Sequence, residues 1–278
     1  MGKNMSKFKK FGKVILLAFT ALFIFVLAGC GNQNSGKTVK VGINPSDETI
    51  WKVVQKKVKS EGINLQIKTF NDYNQPNTAL SQGEVDINAY QHTDFLNSWN
   101  KAHHTDLVSI GKTVIQPMAM YSKKITKLSQ LKNGDKIAIP NDASNEARAL
   151  QLLEYNGILK LNDSKTLPST KDITENKLNL KFTTVDAAQT ARVVGDVTAS
   201  IVNGNVANDA KLNPKKAVVT EKINKNSIPW INIIVAQKKD KNNKTYKKVV
   251  KAFQSKDVEK AIKKVYGGNE IPAWNAKF

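Results

Sequence analysis

Cysteine and arginine are the residues that this chain of 278 residues lacks most. Its one cysteine is Cys30, and its two arginines are Arg148 and Arg192, although lysine brings the basic residues to 43. A single cysteine cannot form an internal disulfide, so a disulfide-stapled scaffold is excluded. The stability of the protein must therefore come from a packed core, and each arginine is informative because it is rare.

Signature motifs of common enzymes are also absent. The sequence has no His-Glu-x-x-His motif, no Gly-x-Ser-x-Gly motif, no Walker A motif and no cysteine after position 30. An exported enzyme is therefore disfavoured, and we expect neither a cofactor nor a metal. Zinc-finger and RNP-type motifs are missing too, which argues against binding to nucleic acid.

Acidic residues are missing from the start of the chain: the first one in the sequence is Asp47. Five lysines precede an uncharged apolar run at 14–28. A charged segment followed by an apolar run is typical of a secretory signal. This run is shorter than the roughly 20 residues that a spanning helix needs, so a transmembrane anchor is disfavoured.

The apolar run ends in Leu27-Ala28-Gly29-Cys30, which resembles the lipobox of bacterial lipoproteins. The resemblance implies a signal peptide at 1–29 and lipidation of Cys30, since a thiol is the nucleophile that can be alkylated. Residues 30–37 are polar and would form a tether. The predicted location is the extracytoplasmic face of the cell membrane, where acyl chains hold the protein.

The formal net charge of the chain is +20. Removing residues 1–29 removes five lysines and no acid, which lowers the net charge to +15. The lysines are scattered over predicted helix faces and loops, which favours a solvated surface facing an anionic membrane or cell wall. The positive charge also permits a role as a surface interaction protein, such as an adhesin.

Hydrophobic periodicity indicates an α/β protein with two successive sets of strands and helices. In the first set, the predicted strands are 38–43, 64–70 and 85–90, and the predicted helices are 49–60, 76–82 and 93–104. In the second set, the predicted strands are 136–139, 180–185 and 198–202, and the predicted helices are 145–155 and 187–195. A turn at 203–205 then leads into a further helix that ends at 211. A strand at 230–237 and helices at 246–254 and 258–266 complete the chain.

Four segments carry a resemblance to a known family. They are 71–77 (NDYNQPN), 88–92 (NAYQH), 140–150 (PNDASNEARAL) and 201–205 (IVNGN). In this order they resemble the NlpA/MetQ family of lipoproteins, the substrate-binding proteins of methionine ABC importers. Weaker matches at 229–233 and 266–268 agree, and the resemblance covers about residues 38–274.

The resemblance implies a two-lobe periplasmic-binding-protein-like fold of type II, with mixed sheets and a ligand cleft between the lobes. Lobe 1 would comprise 38–115 and 233–278, and lobe 2 would comprise 116–232. It also implies a non-enzymatic, monomeric protein that binds L-methionine or a close analogue. The implied partners are the permease and ATPase subunits of an ABC importer.

Arg148 is the first candidate ligand residue, because a carboxylate in a closed cleft is well matched by a bidentate arginine. It would lie in the first turn of the helix predicted at 145–155, where the helix dipole favours an anion. The resemblance implies that Arg148 holds the ligand carboxylate and that Asn203 and Asn232 bind the polar backbone of the ligand. Arg192, in mid-helix, has a structural ion pair as the simpler explanation.

The resemblance also assigns side chains to the rest of the ligand site. The side-chain pocket would be lined by Tyr73, Tyr90 and His92, and Phe95 and Trp230 are further site residues. Weaker candidates are Asn145, Asn141 and Asn205, because turn or cap roles already explain them. Three positions depart from the family pattern: Ala89 stands where an aromatic residue is usual, and Phe95 and Trp230 stand where tyrosine is usual. A methionine-containing dipeptide or another apolar amino acid is therefore an alternative ligand.

Overall fold

The computed structural model of the protein describes residues 37–276. The predicted signal peptide and Cys30 lie outside these residues. No helix within 37–276 is long and apolar enough to cross a membrane.

The first sheet has the strand order β2-β1-β3-β13-β4. Its strands are β1 (Lys37–Ile43), β2 (Ile63–Thr69), β3 (Ile87–His92), β4 (Val108–Lys112) and β13 (Asn232–Ala236). Strands β2, β1 and β3 are parallel, whereas β13 runs antiparallel to both β3 and β4. The sheet is therefore mixed, because the chain returns to it late and from the opposite direction.

Helices cover both faces of the first sheet. They are α1 (Glu48–Lys59), α2 (Gln75–Ser81), α3 (Thr93–His103), α6 (Lys244–Phe253) and α7 (Lys256–Tyr266). On one face, α1, α6 and α7 bury their apolar stripes against the strands, with Trp51 and Phe253 in contact. On the other face, α2 and α3 enclose a second apolar cluster that contains Phe95 and Trp99.

The second sheet has the order β10-β7-β11-β6-β12. Its strands are β6 (Ala119–Tyr121), β7 (Lys136–Pro140), β10 (Lys181–Val185), β11 (Ala199–Val202) and β12 (Val219–Thr220). Helix α4 (Ala143–Tyr155) buries Leu150 and Leu153 in the core of this sheet. The short helix α5 (Gly204–Asp209) follows β11 directly.

Two segments of the chain connect the sheets. The outward segment carries β5 (Val114–Ile115), Gln116 and Pro117, and β5 pairs with β14 (Ile271–Pro272) near the C-terminus. The return segment is a 3-10 helix, Lys225–Trp230, which leads into β13. The short hairpin of β8 (Lys160–Leu161) and β9 (Ile173–Glu175) lies apart from both sheets. The lobe boundaries inferred from the sequence stay a prediction.

The sequence prediction was wrong in one element and shifted in others. The helix predicted at 187–195 is instead two 3-10 turns, Ala187–Gln189 and Arg192–Gly195. The Thr190 hydroxyl donates to the Ala187 carbonyl, so a side chain competes with the backbone for the bonds of a regular helix. The strand predicted from position 230 begins at Asn232, after the 3-10 helix that contains Pro229.

Candidate functional site

A small cavity lies between the two sheets. The predicted site residues on its lining are Tyr73, Tyr90, His92, Phe95, Asn145, Arg148, Asn203 and Asn232. Gln91, Gln116, Gly204 and Asn205 complete the lining. These residues come from the loop between β2 and α2, the ends of β3 and β11, the N-terminal turns of α3, α4 and α5, the outward connecting segment and the start of β13.

Arg148 is buried, with 4% of its surface exposed. Because α4 begins at Ala143, the residue lies in the second turn, so its predicted place in the first turn was wrong. Its Nε donates to Glu221 Oε1 at 3.0 Å, and its Nη2 donates to Glu221 Oε2 and to the Gln116 carbonyl. Nη1 makes none of the hydrogen bonds found within 37–276, so its N–H groups remain available as donors.

His92 occupies the end of β3 and caps the N-terminus of α3. Its Nδ1 accepts from the backbone N–H of Phe95 at 3.1 Å, so the ring proton is on Nε2, which faces Asn145 Oδ1 at 3.2 Å. Burial, and then the nearby Arg148 guanidinium, lower the pKa of His92 to about 3, against the opposing effect of Asn145. The imidazole is therefore neutral at physiological pH and acts as a fixed hydrogen-bond donor.

Asn145 organises the polar floor of the cavity. Its Oδ1 accepts from His92 and from Asn203 Nδ2, the latter at 2.7 Å. Its Nδ2 donates to the carboxylate of Asp142, the residue that caps α4. Because both ends of the Asn145 amide are engaged, we infer that it positions its neighbours.

Asn203 differs from Asn145 because one end of its amide is free. The side chain is buried, and Oδ1 has no hydrogen-bond partner within the described part of the chain. Its Nδ2 bond to Asn145 fixes which end of the amide is free. A buried acceptor without a partner is costly, so its presence on a cavity wall indicates a ligand donor.

Aromatic rings form the apolar wall of the cavity. Tyr73, Tyr90 and Phe95 lie with their ring centroids 5.8–6.0 Å apart in tilted or edge-to-face contacts. The Tyr90 hydroxyl donates to the Tyr73 carbonyl, and the Tyr73 hydroxyl donates to Asn205 Oδ1 across the cleft. With their hydroxyls engaged, the rings present mainly apolar surface, which suits an aliphatic or thioether side chain.

Trp230 lies behind the cavity rather than on its lining. Its ring contacts the His92 ring edge-on at a centroid distance of 5.0 Å, and the Arg148 guanidinium lies over it at 5.2 Å. Together with Glu221 it lines a separate outer groove. Arg192 is exposed and lines another groove with Asn71, and Asn141 is exposed next to α4.

Three partners of the site were not found from the sequence: Glu221, Gln116 and Gly204. No local pattern marks Glu221, because it lies 73 residues after Arg148 in the chain. Gly204 is required by close packing, since a Cβ there would come within 2.7 Å of Gln116 Cβ. A glycine directly after an apolar strand is the one signal that could have indicated this close approach.

A buried pair of carboxyl groups, Asp47 and Glu270, lies behind Gln116. Gln116 Nε2 donates to Glu270 and, at 3.5 Å, to Asp47 Oδ1. Burial raises the pKa of Glu270 to about 7 and raises the pKa of Asp47, whose charge Glu270 further disfavours. The pair therefore holds a proton under mildly acidic conditions, which keeps two negative charges from meeting in the interior.

The raised pKa of Glu270 predicts a pH-dependent stability. An unfolded glutamate loses its proton near pH 4.3, whereas Glu270 keeps it up to about pH 7. The folded state thus binds more protons in this window, so the free energy of unfolding falls as the pH rises through it. We expect Glu270→Gln to raise stability at pH 8 by about 1–2 kcal/mol and to flatten this fall. Urea titrations at pH 5 and pH 8 measure the free energy of unfolding, and the exposed Glu61→Gln variant is the control. If this free energy falls equally between the two pH values in both variants, the raised pKa of Glu270 is contradicted.

Comparison with known proteins identifies close relatives. The sequence model of the family described as NlpA lipoprotein matches residues 39–274. The D-methionine-binding lipoprotein MetQ of Salmonella typhi is 38% identical over 274 residues, which cover 96% of this chain and 99% of that protein.

Solved structures agree with the sequence comparison. The substrate-binding protein of a methionine transporter from Streptococcus pneumoniae superposes with a TM-score of 0.81 and 43% identity, covering 85% of this chain and 96% of that one. A nutrient-binding protein from Burkholderia cenocepacia bound to methionine superposes with a TM-score of 0.80 and 42% identity, covering 84% of this chain and 99% of that one. These likenesses confirm the predicted two-lobe α/β fold with mixed sheets.

Proposed function

Because the chain belongs to the NlpA lipoprotein family, we propose that it is the substrate-binding protein of an ABC importer, with L-methionine or a close analogue as its ligand. The observation that carries this proposal is the pair of free polar groups in one cavity. Arg148 offers an N–H edge and Asn203 offers an unpaired oxygen, both within a largely enclosed space. A zwitterionic amino acid supplies the matching carboxylate and ammonium.

The carboxylate would bind to Nη1 of Arg148. Nε and Nη2 are already held by Glu221 and the Gln116 carbonyl, so the guanidinium is fixed before the ligand arrives. A pre-positioned charged donor loses little conformational entropy on binding. The ligand ammonium would donate to Asn203 Oδ1, and Asn232 adds a further polar side chain on the same cavity wall.

The ligand side chain would lie against Tyr73, Tyr90 and Phe95. Of the departures from the family pattern, Phe95 lines the cavity, whereas Ala89 belongs to the core on the other side of β3. Relatives are named for methionine binding, and a thioether beside aromatic rings fits this wall.

Transport requires binding and release but no chemical step. The Tyr73–Asn205 hydrogen bond joins the two sides of the cleft, so a ligand that bridges the sides would favour the closed form. A lipid anchor at Cys30 would keep the protein on the extracytoplasmic face, close to the permease and its ATPase. This proximity raises the effective concentration at which the binding protein meets its transporter.

A ligand panel tests the proposal. Protein freed of co-purified ligand is mixed with the standard amino acids, with D-methionine and with methionine-containing dipeptides, and thermal unfolding is recorded. A ligand at 100 times its dissociation constant adds about 2.7 kcal/mol of stability, and we expect this from L-methionine. A larger effect from a dipeptide or another apolar amino acid would establish the alternative ligand. No response to any compound would refute amino-acid binding.

A further inference from the structure

The carboxylate of Glu221 is buried against Arg148 from outside the ligand cavity. The side chains of this ion pair are 5% and 13% exposed, whereas every other ion pair found within 37–276 is more exposed. Burying two charges is unfavourable unless they are paired and hydrogen-bonded. Such a pair therefore calls for a functional explanation beyond stability.

The position of Glu221 is fixed by the connecting segment. Its Oε2 accepts from the Met118 backbone N–H at 3.1 Å, and its own N–H donates to the Met118 carbonyl. It lines the outer groove with Trp230 and is not part of the cavity lining. Glu221 therefore contacts Arg148 from behind and does not occupy the space of the ligand carboxylate.

The ion pair sets the net charge of the ligand site. Within 37–276, Arg148 is the one charged residue on the cavity lining, because His92 is neutral and burial raises the pKa of Tyr73. Glu221 cancels the charge of this arginine at contact distance. A further acid, Asp142, lies behind Asn145 and accepts a hydrogen bond from its amide. The site therefore offers hydrogen bonds to a carboxylate without an excess of positive charge.

We propose that Glu221 is a specificity-determining residue, which makes the site select net-neutral zwitterions over monoanions of the same shape. The inference rests on the proposed amino-acid binding. An arginine alone would attract any carboxylate, including α-hydroxy acids, whereas the neutralised arginine favours a ligand that brings its own positive charge. The ammonium also fills the free acceptor position at Asn203 Oδ1, which a hydroxyl fills less strongly.

The test compares L-methionine with its α-hydroxy analogue, which has a hydroxyl in place of the ammonium and is a monoanion. Calorimetry gives the ratio of the two dissociation constants for the full chain, for Glu221→Gln and for Glu154→Gln. Glu154 lines the same outer groove without touching Arg148, so it is a matched control for loss of one negative charge. We expect the wild-type protein to bind methionine much more tightly than the α-hydroxy analogue. In Glu221→Gln the ratio of the two dissociation constants should move about tenfold closer to one, whereas Glu154→Gln should keep the wild-type ratio.

A further variant separates charge from folding. Glu221→Asp keeps the negative charge. The ratio of its two dissociation constants should therefore stay close to the wild-type ratio, even if the affinities for methionine and for the α-hydroxy analogue both fall. The inference is overturned if wild type does not discriminate, if Glu221→Gln keeps the wild-type ratio, or if Glu221→Asp loses it. Failure of wild type to bind either compound would overturn the proposed function and this inference with it, whereas an unchanged ratio overturns this inference alone.

Discussion

Replacing Arg148 with alanine should lower the affinity for L-methionine about a thousandfold. The ligand carboxylate would then be buried without its charged partner, which costs about 4 kcal/mol in comparable buried pairs. Calorimetry on the wild-type and variant proteins measures the loss. Arg148→Lys should recover only part of it, because an ammonium cannot bind Glu221, the Gln116 carbonyl and a ligand in one planar arrangement.

Two further variants control this experiment. The alanine variant also leaves the Glu221 carboxylate unpaired, so its free energy of unfolding should fall as well. Combining Arg148→Ala with Glu221→Gln removes that orphaned charge and should restore stability but not binding. Arg192→Ala removes the other arginine of the chain, which is exposed and away from the cavity, and should bind as wild type does. Wild-type affinity in a folded Arg148→Ala protein would show that the carboxylate is held elsewhere.

Arg148 could be predicted from the sequence because it is rare and because it lies in a long family motif. Its environment could not be predicted in the same way. Glu221 and the Gln116 carbonyl reach it from distant parts of the chain, after the two connecting segments have placed the sheets against each other. An ion pair between residues so far apart in the sequence depends on the tertiary structure, and no local sequence pattern encodes it.

The fold was predictable where hydrophobic periodicity is strong. The strands β1 and β2 and the helix α1 fall within one residue of the predicted bounds, because each has one clearly apolar face. The prediction failed at 187–195, where two 3-10 turns lie on either side of Thr190 in place of a regular helix. It also misplaced the start of α4, and this error put Arg148 two residues too close to the N-terminus of the helix.

The asparagine network shows a different limit. Motif and resemblance placed Asn145 and Asn203 in the site, but they did not distinguish what each residue does. Only the hydrogen bonds show that Asn145 is engaged at both ends of its amide and that Asn203 keeps one oxygen free. Two residues of one type, in contact with each other, are therefore expected to respond differently to substitution.

Asn203→Leu should reduce the affinity for L-methionine by at least about a hundredfold, or about 2.7 kcal/mol. Leucine has nearly the same size, so the cavity keeps its shape while the ligand ammonium loses its acceptor and is buried unsatisfied. Asn208→Leu is the matched control. Asn208 lies in the helix that Asn203 caps, and its buried amide nitrogen has no partner within 37–276, but the residue does not line the cavity. Calorimetry and thermal unfolding on both variants separate binding from stability. Equal affinities in the two variants would mean that the free oxygen of Asn203 takes no part in recognising the ligand.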